Sequence, residues 1–141
     1  MISKKILIID DEPDVVTYLS AVLEANGYKS YSTSDIKTAM EEVKEIVPDL
    51  ICLDIVMPEE TGISFYSRLR QDEELKTIPV IIISGIVELE KFDFHSYTKD
   101  ESIPQPECYM EKPIDVEKYI QKVKELVSNN STTLNRDKNY T

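Results

Sequence analysis

Short aliphatic runs recur along the chain, and each leads directly or nearly directly into a residue able to do chemistry. Ile6-Leu7-Ile8-Ile9 precedes Asp10 and Asp11, Leu50-Ile51-Cys52-Leu53 precedes Asp54, Val80-Ile81-Ile82-Ile83 precedes Ser84, and Cys108-Tyr109-Met110 comes just before Lys112. An apolar run of this length with polar ends reads as a strand buried on both faces, the habit of parallel sheets. Ligands of open parallel sheets bind outside the carboxyl ends of the strands, so the pattern places all these polar residues at one crevice.

Helical spacing fills the intervals. Val15, Val16, Leu19, Val22 and Leu23 repeat on one face, with Pro13 suited to a first turn and Gly27 to a C-terminal stop. A short strand from Lys29 to Ser32 follows. Ser34 is the expected N-cap of a second helix striped by Ile36, Ala39, Met40, Val43 and Val47 and ended by Pro48. After a polar turn from Met57 to Gly62, Phe65, Tyr66 and Leu69 mark a third helix, and Pro79 opens the next strand. Asp115 is placed to cap a last helix carrying Val116, Tyr119, Ile120, Val123 and Val127 on one face. Strict alternation of five strands with about five helices predicts an α/β fold, a doubly wound parallel sheet.

Two segments break the rhythm. From Glu88 to Glu107 charge is high and Pro104 and Pro106 interrupt any helix, which predicts one short helix and a long mobile loop. Residues 129–141 are polar and aperiodic, a tail or the start of a linker after a domain spanning 1–128.

The 141 residues, 41% hydrophobic, suffice for one domain with a core, and no apolar run is long enough for a membrane span. The start of the chain is too short and too polar for a signal peptide, so a cytoplasmic location is expected. A net charge of −11 disfavours direct nucleic-acid binding, which needs dense lysine and arginine patches. Cys52 and Cys108 lie inside apolar runs and are expected to be buried free thiols, with no zinc spacing nearby. His95, alone in an irregular segment, is expected to be a surface residue.

Carboxylates gathered at one crevice repel one another unless a cation sits among them. An all-oxygen set suits Mg²⁺, which keeps water and phosphate oxygens as its other ligands. Lys112 adds a positive charge and Ser84 a hydroxyl, so the set suits a tetrahedral dianion and phosphoryl transfer. Taken singly, the two N-terminal aspartates could merely favour a helix N-terminus, Asp54 a turn, Ser84 a loop and Lys112 solvent. Five such placements at successive strand ends are not independent accidents.

Asp10-Asp11-Glu12, Asp54 followed by Met57-Pro58, Ser84-Gly85 and Lys112-Pro113 together resemble the receiver domain of two-component response regulators, the CheY-like family, over residues 4 to 128. The resemblance implies the flavodoxin-like strand order 2-1-3-4-5. It implies Asp54 as phosphoacceptor; Asp10, Asp11, Asp54 and the main-chain carbonyl of Val56 around Mg²⁺; and Ser84 and Lys112 on the phosphoryl group. It also implies Tyr109 as a switch residue, a cis Lys112-Pro113 bond, and a phosphohistidine donor on a sensor histidine kinase or histidine phosphotransfer domain. Homodimerisation on phosphorylation and the downstream effector are left open. Val56 and Ile86, two positions past Asp54 and Ser84, are expected to flank the phosphoryl group, and neither can hydrogen-bond an attacking water, so self-dephosphorylation is expected to be slow.

The chain departs from the family pattern in two ways. Ser84 and Lys112 are 28 positions apart, several more than the family usually has, and Glu107-Cys108 stands where a small Gly-Ala pair often precedes the switch aromatic. Two other readings are kept. A haloacid-dehalogenase-like phosphohydrolase also uses aspartate, serine or threonine, lysine and Mg²⁺, but needs a second acid where Val56 stands. A receiver-fold adaptor that is never phosphorylated would not need the complete acceptor set.

Overall fold

The computed structural model describes residues 3–55, 62–85 and 102–140, with the backbone alone beyond residue 128. The expected helix within 88–107, the turn after Asp54, His95, Val56 and Ile86 thus lie wholly or mainly outside the described residues. Five parallel strands, β1 (Lys5–Ile9), β2 (Lys29–Thr33), β3 (Leu50–Asp54), β4 (Val80–Ser84) and β5 (Cys108–Glu111), form one sheet in the order β2-β1-β3-β4-β5. Four helices accompany them among the described residues: α1 (Pro13–Ala25), α2 (Ile36–Ile46), α3 (Gly62–Gln71) and α4 (Val116–Tyr140).

Alternation of side chains along each central strand explains why the runs are apolar throughout. Leu7, Ile9, Ile51, Leu53, Val80 and Ile82 point into a core completed by Ala39 and Val43 of α2 and Phe65, Tyr66 and Leu69 of α3. Their neighbours Ile6, Ile8, Leu50, Cys52, Ile81 and Ile83 point to the other face, onto Leu19 and Leu23 of α1 and Tyr119, Ile120, Val123 and Val127 of α4. A one-residue slip of any central strand would exchange the faces while leaving both apolar. Register is therefore held by what stands at the strand ends.

Cap chemistry differs from the sequence reading at α2. The N-cap is Asp35 rather than Ser34, its carboxylate accepting from the Lys37 N–H at 2.9 Å; the acid one residue further on has the geometry to reach that donor. Cys52 is buried against the Tyr119 hydroxyl, and burial pushes its thiol up to about 12. Cys108 is only half-buried, because β5 is an edge strand. Past Ser128, where the apolar stripe ends, the α4 backbone stays helical to Tyr140; this stretch holds no proline or glycine to stop it.

A buried polar network closes the end of the sheet opposite the strands' carboxyl ends. Arg70, its side chain 3% exposed, donates to the carbonyls of Lys76 and Ile78, to the Tyr66 hydroxyl at 2.9 Å, and in a two-pronged pair to Glu107 at 2.7 and 2.9 Å. Glu107 also accepts from the Val80 N–H at the start of β4. Glu107, one of the departures in sequence, is thus the partner of a buried arginine. Burial raises its carboxyl above the usual range despite the pull of Arg70.

Val47 ends α2 in the left-handed region, at φ 49°, with its side chain in solvent. That conformation costs an L-residue about 1–2 kcal/mol, and glycine escapes it while losing about 0.5–1 kcal/mol more chain entropy on folding. Val47→Gly is expected to raise stability by about 0.5–1 kcal/mol, read from the urea midpoint at unchanged m; an equal or lower midpoint would contradict this.

Candidate functional site

Strand ends deliver the polar groups. Asp10 follows β1 and its backbone N–H donates to the Thr33 carbonyl, fixing it against β2. One oxygen of its buried carboxylate accepts from the Glu12 N–H at 2.9 Å, the turn that starts α1. Glu12 is the N-cap of α1, yet its side chain makes no cap hydrogen bond. It reaches across to Lys112 instead.

Lys112 stands just past β5, where its N–H donates to the Ser84 carbonyl at 2.9 Å, and the following bond to Pro113 is cis as expected. Its ammonium lies 2.6 Å from Glu12 Oε1, 3.0 Å from Asp10 Oδ2 and 3.3 Å from Asp54 Oδ2. Asp10 and Asp54 are 2% and 4% exposed while the Glu12 side chain is 58% exposed, so two nearly dry carboxylates and one at the solvent edge share one cation. Burial alone would lower the Lys112 ammonium, but the hydrogen bonds to Glu12 and Asp10 and the charge of Asp54 hold it above its ordinary value and keep it charged.

The residues read from the sequence fall into distinct positions. Asp10, Asp54 and Lys112 are brought together; Ser84 is buried at the end of β4, one step beyond Ile83, the partner of Asp54 in register. Asp11 is half-exposed and lines a neighbouring cavity of about 460 Å³ with Thr17, Ser32 and Thr33. Glu12 was not among the residues singled out, although it follows the acidic pair directly. Tyr109 is half-buried on the edge strand, its hydroxyl bonded to the Gln105 side chain, and it lines a second cavity of about 530 Å³ with Lys118, Gln121 and Lys122 of α4.

Among the described residues one ammonium is shared by three carboxylates. Oxygens of Asp10, Glu12 and Asp54 lie within 4.8 Å of one another, a hard, all-oxygen donor set of the kind that suits Mg²⁺. The residues present therefore fit a divalent ion.

The family described as the response regulator receiver domain matches residues 6–124. The chain belongs to this family. It is 32% identical over 124 residues to the polar-differentiation response regulator DivK of Brucella ovis, covering 86% of this chain and 94% of that protein. Its fold is similar to the signal receiver domain of a signal transduction histidine kinase from Syntrophus aciditrophicus, at TM-score 0.76 and 27% identity over 90% of this chain and 92% of that one. A putative response regulator from Chloroflexus aurantiacus shares the fold at TM-score 0.79 and 21% identity, covering 90% and 99% of the two chains. Receiver domains are signalling phosphoacceptors that work with a phosphodonor kinase or phosphotransfer protein and bind Mg²⁺ at an acidic pocket. Among the described residues no helix is long and apolar enough to cross a membrane.

Gly62 packs against the end of β3 beside Asp54. Its N–H donates to the Ile55 carbonyl at 2.9 Å, and a Cβ built there would come within 2.3 Å of the Asp54 carbonyl oxygen and 2.7 Å of Ile55 Cα. Only a residue without a side chain lets α3 start against the end of β3. Gly62→Ala is expected to cost about 1–3 kcal/mol of stability, the range for forced overpacking, and to weaken Mg²⁺ binding; unchanged unfolding and metal titration curves would contradict it.

Proposed function

We propose that Asp54 accepts a phosphoryl group from a phosphohistidine of a sensor histidine kinase or histidine phosphotransfer domain, as expected in the cytoplasm, and that the acyl phosphate switches the conformation of the strand-end rim. The observation that carries this reading is the placement of Lys112 Nζ between Asp54 and Asp10, at 3.3 and 3.0 Å. An oxygen of Asp54 forms the new bond to phosphorus as the phosphorus–nitrogen bond breaks; the electron pair passes to the imidazole, which leaves after taking up a proton. Lys112 neutralises charge on the phosphoryl oxygens, and placing groups in line with fixed opposing charge is most of what this chemistry needs.

Asp10, Asp11, Asp54 and the Val56 carbonyl would hold Mg²⁺, with Glu12 a further carboxylate at the rim. Bound there, the ion supplies the second positive charge that a phosphoryl dianion requires. Lys112 then exchanges its carboxylate partners for phosphoryl oxygen, the Ser84 hydroxyl moves to hydrogen-bond the same group, and the Tyr109 ring follows into the space released. The phosphate selects an arrangement that the free protein visits rarely.

Incubation with acetyl phosphate and Mg²⁺ is expected to add the mass of one phosphoryl group to the wild type and none to Asp54→Ala. Equal uptake by both would place the acceptor elsewhere. Because Val56 and Ile86 offer no hydrogen bond to an attacking water, the acyl phosphate of the wild type is expected to outlast that of Val56→Asn with Ile86→Glu by about tenfold, below the range of a well-placed general base. Equal or faster decay in the wild type would reject that assignment.

A further inference from the structure

The stretch leading into β5 is anchored at two points. Tyr66, wholly buried on α3, donates its hydroxyl hydrogen to the Pro104 carbonyl at 2.7 Å. Three residues on, Glu107 takes the buried Arg70 guanidinium in its two-pronged pair. Ile103 and Pro106 are themselves buried.

Gln105 lies between these anchors with a proline on each side. Proline fixes its own φ, and a residue before proline is confined to extended backbone, so the Gln105 backbone has few alternatives to the one observed. From there its side-chain oxygen accepts a hydrogen bond from the Tyr109 hydroxyl, on a ring that packs half-buried against the core face of α2 and α3 and borders the exposed cavity beside α4. The acceptor is held by the core through its neighbours, while the tyrosine it holds sits half-buried on an edge strand.

We propose that Gln105 is a latch on Tyr109: its side chain holds the ring in the half-buried orientation seen here and thereby sets how rarely the unphosphorylated protein adopts the alternative, signalling arrangement. The inference rests on the reading of Tyr109 as the switch residue. A hydrogen bond made in one of two states shifts the equilibrium by its own net free energy. For a neutral pair open to water that is the low part of the usual range, a population ratio changed by about threefold. The anchors, Tyr66 and Arg70, belong to a network at the end of the sheet opposite Asp54, one that the phosphoryl chemistry does not use.

The test places 3-fluorotyrosine at position 109 of the full chain and records its ¹⁹F signal with Mg²⁺, before and after beryllofluoride. The wild-type signal is expected to move on adding beryllofluoride. In the free protein, Gln105→Ala should already lie part-way along that path, by an amount matching about a threefold population change, while Gln105→Glu, which keeps an acceptor, should stay at or behind the wild-type position. A Gln105→Ala signal that coincides with the wild type in the free protein, with the wild type still responding to beryllofluoride, would overturn the latch and leave the switch reading intact. A wild-type signal that ignores beryllofluoride would overturn the switch reading for Tyr109, and the latch with it.

Discussion

The contact on which the rest of this structure depends is the sharing of one lysine ammonium by three carboxylates. Lys112 touches Glu12, Asp10 and Asp54, groups from two different strand ends and a helix start, and the last two are almost out of water. Charges so placed are stable only while opposite charge stays near, and among the described residues the Lys112 ammonium supplies it. The sheet builds this cluster: its order brings β1 beside β3 and β3 beside β4, so Asp10, Asp54 and Ser84 arrive side by side, and β5 next to β4 sets Lys112 against Ser84. An acidic rim of this kind is one to which a divalent cation can add the positive charge that a phosphoryl dianion requires.

The two ends of the sheet do opposite work. At the strands' carboxyl ends three carboxylates share one ammonium. At the other end Arg70 has its hydrogen bonds met by Tyr66, Lys76, Ile78 and Glu107, which ties α3 to β4 and to the approach to β5.

Much of the fold was legible because doubly covered strands leave uninterrupted aliphatic runs, and each run found here became a strand within a residue or so of its reading. The candidate site was legible for the same reason, since polar residues that end such runs must meet at one rim. What escaped notice depended on side-chain reach rather than on pattern. Glu12 stands in the Asp10-Asp11-Glu12 motif with no role read for it, and only the geometry shows its carboxylate turned to Lys112. Tyr66 and Arg70 are four apart on α3, a spacing that marks neighbours, but their partner Glu107 lies 37 residues beyond Arg70 and no local signal joins them. The Asp35 cap, one residue past the expected serine, is the ordinary ambiguity of adjacent capping residues.

The central claim is that the carboxylate rim is the seat of a divalent cation. Its most direct test is the unfolding free energy of the wild type and Asp54→Asn, each in chelator and in millimolar Mg²⁺. Asp54→Asn is expected to equal or exceed the wild type in chelator, because one charge of the three-carboxylate cluster is gone, and Mg²⁺ is expected to stabilise the wild type far more than the variant. A variant weaker than the wild type in chelator, with the same response to Mg²⁺ in both, would contradict it.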